Sequence, residues 1–195
     1  MALTPNAALE SLHRVQSEAA RQANISTDSS LELFPSSEIA EYLKDLPEEF
    51  EFRPLQIGDY SKNYLDVIRD LTVVGDVSET VFRNQFLVMA STKPHAYFTI
   101  VAEDKKLKKI AASITLVLEW KFAHNASARG RIEDVVVHHD YRSKGLARHL
   151  NEIVIQLAKK KGVYKISLEC KDEYVGFYEK FGYKKDQNFL VQRFD

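Results

Sequence analysis

One continuous passage constrains this chain more than any other. The apolar run Val135–Val136–Val137 is followed by the basic turn Arg142–Ser143–Lys144–Gly145–Leu146–Ala147, which opens a helical stripe of Leu146, Leu150, Ile153, Val154 and Leu157. A second β-rich run, Tyr164–Leu168, lies beyond it. Strand, turn, helix and strand in that order predict a right-handed parallel crossover, and hence an α/β sheet covered by helices. Three consecutive valines predict a strand buried on both faces. The turn aims free N–H groups and the positive end of a helix dipole at one point, which suits a phosphate or pyrophosphate. Gly145 and Ala147 let an anion approach the backbone, and Arg142 and Lys144 add mobile positive charge. Neither G-x-x-x-x-G-K-[ST] nor the three-glycine dinucleotide spacing occurs. The residues alone therefore specify a diphosphate-bearing ligand without identifying it, and an ordinary strand-to-helix turn with solvated charges is the competing reading.

A length of 195 residues, 45% of them hydrophobic, suits one folded domain with extra sequence at an end. A net charge of -1 favours neither nucleic acid nor a membrane surface, and no apolar run is long enough for a membrane span. The N-terminus lacks a signal-peptide pattern and Cys170 is the single cysteine, which together point to a reducing, cytoplasmic setting. The histidines are scattered and His138–His139 are adjacent, so no metal is expected. Residues 1–49 are polar and are expected to form a partly helical N-terminal extension, with patches at Leu9–Ala19 and Ser37–Leu46 joined by a linker at Gln22–Ser30. From Phe50 onward, strands are expected at Phe50–Leu55, Tyr97–Glu103, Ala111–Trp120, Arg131–Val137, Tyr164–Leu168 and Phe189–Arg193. Besides the crossover helix, one helix is expected from an Asp59 cap to about Leu71 with Gly75 as its break. A second should run from a Ser78 cap through Phe82, Phe86 and Met89, and a third over Glu173–Lys180. This order gives a mixed sheet flanked by helices, with a ligand at the carboxyl ends of the crossover strands.

Several segments carry a narrower resemblance. They are Phe52–Arg53–Pro54–Leu55, Leu71–Thr72–Val73–Val74–Gly75, Glu119–Trp120–Lys121–Phe122–Ala123–His124, Gly130–Arg131–Ile132–Glu133–Asp134–Val135–Val136–Val137, Tyr164–Lys165–Ile166–Ser167–Leu168–Glu169–Cys170 and Phe177–Tyr178–Glu179–Lys180–Phe181–Gly182–Tyr183. With the R-x-x-G-x-A turn at 142–147, they resemble the glucosamine-6-phosphate N-acetyltransferases, a narrow family within the GNAT superfamily. The resemblance spans roughly the last three quarters of the chain. It implies the GNAT acyl-CoA N-acyltransferase fold over 50–195, with 1–49 as the N-terminal extension. It also implies acetyl-CoA as co-substrate and acetyl transfer to the 2-amino group of D-glucosamine 6-phosphate. Direct attack in a ternary complex would give N-acetylglucosamine 6-phosphate and CoA, on the route to UDP-N-acetylglucosamine.

The same resemblance implies roles residue by residue. The main chain of Val135, Val136 and Val137 would line the pantetheine arm where the family's sheet splays, with one N–H polarising the thioester oxygen. Arg142, Ser143, Lys144, Gly145, Leu146, Ala147 and Arg148 would hold the pyrophosphate. Tyr178 would give a hydrogen bond or proton to the leaving sulfur, although a core aromatic is its ordinary reading. Glu169 would orient the amine and could take its proton, with Asp134 beside it. Glu133 and the Asp134 carbonyl would hold the sugar, a structural ion pair being the ordinary reading of Glu133. Strand parity puts Glu133 and Val135 on one face and Asp134 on the other. Lys121, His124, Lys165 and Arg193 would receive the substrate phosphate, with Thr72, Phe122, Ala123 and Tyr164 around the sugar. The family's last strand, here carrying Arg193, crosses to the neighbouring subunit, which implies a homodimer with shared active sites. Direct transfer needs no enzyme nucleophile, so Cys170 is expected as a small core residue. Tyr174 stands where the family has Asn, and Ser143 where Gly is more usual. The alternatives are a GNAT enzyme for another amine (polyamine or protein) or an acetyl-CoA-binding module without turnover. The cation set argues against the first, and the presence of both Tyr178 and Glu169 against the second.

Overall fold

The computed structural model describes residues 9–15, 17 and 28–193. Among these residues five strands form one sheet in sequence order: β1 Phe50–Pro54, β2 Tyr97–Asp104, β3 Lys109–Trp120, β4 Ala128–Val137 and β5 Ile166–Ser167. The first three pairings are antiparallel and β4–β5 is parallel. The β2–β3 hairpin closes on an Asp104 turn, whose Oδ1 accepts from the N–H groups of Lys106 and Leu107 at 2.8 and 2.9 Å. The centres of β2 and β3, including Ile100, Val101, Ile110, Ile114 and Leu116, are wholly buried. The helix Leu146–Lys160 lays its expected stripe of Leu146, Leu150, Ile153, Val154 and Leu157 into the core, as the parallel crossover requires. Ser78 caps the helix Glu79–Ala90 by accepting from the N–H of Val81.

The helix expected from Asp59 to Leu71 is instead two pieces: a 3-10 turn, Ile57–Lys62, and a short α-helix, Tyr64–Arg69. Between them Asn63 takes a left-handed φ of 60° and bonds Ile110 twice, donating to its carbonyl and accepting from its N–H. That tertiary tie pulls the chain out of helical register, and the helix ends before Gly75 is reached. Asp59 is not the cap. Gln56 takes that position in a reciprocal capping box, while Asp59 is fully buried against Arg53, at 2.8 Å on both oxygens.

Part of the expected extension is built into the body. Leu33, Phe34 and Ile39 are core residues, and Phe34 packs on Phe98 with ring centroids 5.1 Å apart. Backbone bonds from Leu33 to Leu55, Ile57 to Leu31 and Gly58 to Ser29 fasten this stretch. Gly58 is needed there, since a Cβ would lie 2.6 Å from the Ser29 carbonyl oxygen. Ser37–Leu46 holds two 3-10 turns, Ser36–Glu38 and Ala40–Tyr42, rather than one helix. Residues 9–15 are helical, whereas the expected linker falls at 22–27 outside the described residues.

The strand expected at Phe189–Arg193 does not form. Leu190 is 90% exposed, and the segment pairs with no strand among the described residues. Among the described residues no helix is long and apolar enough to cross a membrane.

Candidate active site

The site grows from the outer edge of β4. Its pairing with β5 covers only Gly130↔Ile166 and Arg131↔Ser167, and beyond Arg131 no described strand lies on that side. Main-chain groups along 132–137 are left facing a split in the sheet, where an extended ligand could pair with them. A bulge sits in the same stretch. Thr115 opposes Glu133 but Ser113 opposes Val136, and Asp134 is held at φ 52°. The bulge overturns the expected parity: Glu133 and Val136 share a face, because Thr115 and Ser113 do. It also corrects the reading of the valines. Val136 is buried, but Val135 and Val137 are only partly covered, since the neighbouring strand has peeled away.

Above this edge lies the expected anion turn. Ser143 and Gly145 both adopt left-handed conformations, at φ 65° and 75°. The N–H groups of residues 143–147 donate to no described backbone or side-chain acceptor, and they sit at the start of a fifteen-residue helix. This is an open row of donors at a positive helix end. Arg142 is exposed with no ion-pair partner among the described residues. Lys144 lies 5.7 Å above the Phe50 ring, and Arg148 pairs with Glu152 at 2.9 Å. The turn is strapped to the end of the helix Tyr64–Arg69, where Asp70 accepts from the His139 N–H at 2.6 Å and meets its ring Nδ1 at 3.0 Å. Partial burial opposes the Asp70 charge, but these hydrogen bonds hold its carboxyl below the usual range. Asp70, His138 and His139 bring ligand-type atoms within 4.8 Å of one another, a grouping their sequence positions hid. His138 spends Nδ1 accepting from the Asp140 N–H, and its ring stacks on His139 at 4.1 Å. The group therefore acts as a strap.

Below the split the acidic candidates converge on a residue that sequence reasoning passed over. Arg131 bonds Glu133 through Nε and Glu169 through Nη2, the latter at 2.8 Å. The Glu133 hydrogen bond makes Arg131 hold its proton more firmly than usual. Arg129 similarly reaches Ser167 Oγ at 2.7 Å and lies 4.0 Å from Glu119. The available signal was the alternation Arg129, Arg131, Glu133 on one strand beside Ser167 and Glu169 on the next. Asp134 stands apart from these pairs. The residue is exposed on the bulge, but partial loss of water around its carboxyl, and then the Glu133 charge, push that carboxyl above the usual range. Tyr178 is buried with its ring against Phe177 and Tyr183, and burial pushes its phenol up to about 12. Cys170 is not a core residue. It is exposed, because 168–171 leave the sheet, and its thiol is pushed up by partial burial and by Asp172.

The cationic candidates gather in part. Lys121 donates its N–H to Ser127, Tyr164 donates to Ala128, and Gly130 donates to the Lys165 carbonyl, which draws the 121–127 loop against 164–165. His124 stacks on Tyr164 with ring centroids 3.9 Å apart. Three successive residues, His124, Asn125 and Ala126, are left-handed at φ 51°, 59° and 56°. Such a run costs about 1–2 kcal/mol per non-glycine residue, and strain of this kind concentrates at functional loops. Phe122 is fully exposed on this loop beside Ala123. Lys121 is neutralised by Glu119 at 2.9 Å, whereas Lys165 is exposed without a described ion pair. Thr72 is exposed just beyond the Asp70 strap. Arg193 is not brought to this corner by its own chain: it is exposed and makes no ion pair among the described residues.

A sheet split beside a parallel crossover, with free N–H donors at the crossover helix, defines an acyl-CoA-dependent transferase fold. The profile of the acetyltransferase (GNAT) family matches residues 51–183, and the chain belongs to that family. A probable glucosamine 6-phosphate N-acetyltransferase of Drosophila melanogaster is 40% identical over 146 residues, covering 73% of this chain and 66% of the relative. Glucosamine 6-phosphate N-acetyltransferase 1 of Dictyostelium discoideum is 38% identical over 69% of this chain and 84% of its own length. The crystal structure of glucosamine-6-phosphate N-acetyltransferase from Arabidopsis thaliana superposes with a TM-score of 0.73 at 34% identity, covering 76% of this chain and all of that one. Within the GNAT family the chain therefore groups with the glucosamine 6-phosphate N-acetyltransferases.

Proposed function

We propose that this protein transfers the acetyl group of acetyl-CoA to the 2-amino group of D-glucosamine 6-phosphate, releasing CoA and N-acetylglucosamine 6-phosphate. The observation that carries the reading is the unpaired outer edge of β4, set between the free N–H row at 143–147 and the corner formed by Lys121, His124, Tyr164 and Lys165. The N–H row, with Arg142, Lys144 and Arg148 near it, fits a pyrophosphate, and the edge at Val135–Val137 fits the pantetheine arm as an added strand. A main-chain N–H of that edge polarises the thioester carbonyl, where negative charge builds as the amine attacks. The acceptor's phosphate is taken by Lys121, His124 and Lys165, and by Arg193 supplied from a second copy in a homodimer. Thr72, Phe122, Ala123 and Tyr164 surround the sugar.

Glu169 and Glu133 draw in the amine. Asp134, whose carboxyl is raised above the usual range, accepts the amine proton as the bond forms. The new C–N bond forms as the C–S bond breaks. Tyr178, whose phenol stays protonated, donates to the departing sulfur. No covalent enzyme intermediate is needed, and the unactivated thiol of Cys170 takes no part. On this reading residues 50–195 form the catalytic unit and 1–49 an extension partly fastened to it. The protein would work in the cytoplasm, supplying UDP-N-acetylglucosamine synthesis.

Initial rates of thiol release with glucosamine 6-phosphate, glucosamine and spermidine test the proposal. Turnover that depends on the phosphate supports it. Spermidine turnover favours another amine acceptor, and acetyl-CoA binding without thiol release removes the enzymatic reading.

A further inference from the structure

We infer that Arg131 is a positioning residue that acts through Glu169, holding it beside Glu133 as a two-carboxylate clamp for the incoming amine. Glu169 lies two residues past Ser167, where β5 has ended and 168–171 have no regular structure. Its backbone makes no described hydrogen bond, and among the described residues Arg131 Nη2, at 2.8 Å, is the only side-chain group that holds its carboxylate. Without that contact the carboxylate would sit on an unpaired segment with nothing to fix its direction. Arg131 itself is well anchored. It occupies the last paired rung of β4, opposite Ser167, and its Nε engages Glu133 on the same strand. Two residues earlier on β4, Arg129 ties Ser167 Oγ from the β4 side and so fixes where β5 departs.

The arginine fork matters as well as its charge. Nε and Nη2 reach two different carboxylates at once, which a single ammonium on a flexible stem does not reproduce. The trio keeps one net negative charge, so it still attracts an ammonium while its geometry is set. Side chains of 28% and 30% exposure for Arg131 and Glu169 are partly shielded from water, which makes the pairing firmer than that of a fully solvated pair.

This inference rests on the acetyl-transfer reading above, and a double-mutant cycle with Arg131→Met and Glu169→Gln separates the two. Wild-type protein that fails to turn over glucosamine 6-phosphate defeats the functional reading. With active wild type, Arg131→Met should lower kcat by roughly 10–100-fold while the acetyl-CoA KM stays within about twofold. In the Glu169→Gln background the same change should lower kcat by no more than about threefold, because the group it positions is gone. Arg131→Lys should recover only part of the lost rate. Unchanged kcat in Arg131→Met, full additivity of the two changes, or wild-type kcat in Arg131→Lys would each overturn the inference. If Arg131→Met does not fold, Arg131→Lys is carried through the same cycle, and additivity with Glu169→Gln again decides against it.

Discussion

Tyr178 and Asp134 illustrate how local surroundings assign opposite duties to two ionisable side chains. Burial pushes the Tyr178 phenol up to about 12, so the hydroxyl is a donor throughout the neutral range. Asp134, exposed but with its carboxyl partly stripped of water and set beside Glu133, is instead more ready than usual to take a proton. Tyr178→Phe is expected to lower kcat by roughly 10–100-fold with little change in acetyl-CoA affinity, measured by steady-state rates and equilibrium binding. Wild-type turnover in that variant would remove Tyr178 from the chemistry. At this scale the sequence spoke unevenly. Residue types and spacing alone nominate the 142–147 turn, whereas Glu169 and Tyr178 are nominated only through the family resemblance. Arg131 was hidden, because its partner Glu169 is 38 residues away and meets it only through the β4–β5 pairing.

The working element is β4, whose inner edge is bonded to β3 and whose outer edge opens past Arg131. Gly130 marks the point of closest approach. A Cβ there would meet Ile166 Cγ2 at 2.8 Å and Leu116 Cδ1 at 3.0 Å. Ile166 is β-branched and stiff, so it has little room to yield. Gly130→Ala should therefore destabilise the protein by about 1–3 kcal/mol in denaturant unfolding, and adding Ile166→Ala should return part of that loss. An unaffected midpoint in the single variant would show that β4 and β5 are not locked there. The strand, turn and crossover helix were legible from apolar periodicity and the basic turn. The bulge was not, since nothing local forces Asp134 to φ 52°; its cause is the register set by β3. The break at Asn63 was likewise invisible, because it depends on the distant Ile110 backbone.

Across the whole molecule, a buried charge network ties β1, β2 and the Ile57–Lys62 turn together. Arg53 bonds Asp59 and Glu103, and Lys62 reaches Glu103 at 2.8 Å. Removing one member of such a network strands its partners, so Arg53→Met is expected to cost about 3–5 kcal/mol of unfolding free energy. Burial works against the charge on Glu103, yet the hydrogen bonds from Lys62 and Arg53 leave its carboxyl below the ordinary 4.5. Its contribution to stability is therefore complete above that value and is lost as pH falls through the lower folded-state value. Urea midpoints should accordingly drop below about pH 4.5, with a smaller drop in Glu103→Gln; equal acid sensitivity in the two would exclude Glu103 as a source. The mixed sheet was readable from the order of patterned segments. The terminal segment Phe189–Arg193 was not, because a strand needs a neighbour and the described residues supply none. If a second copy does, Arg193→Ala should raise the sugar-phosphate KM about tenfold or more and leave the acetyl-CoA KM unchanged, in a protein that sediments as a dimer. An effect on the acetyl-CoA KM instead would mean that Arg193 serves the other substrate.

The central claim is that donor and acceptor lie side by side along the open edge of β4 and exchange the acetyl group without passing it to the protein. Initial rates measured while both acetyl-CoA and glucosamine 6-phosphate are varied address this directly. Double-reciprocal lines that intersect are the predicted result, since both substrates must be present before any product leaves. Parallel lines, with acetyl-enzyme trapped when acetyl-CoA is supplied alone, would contradict it.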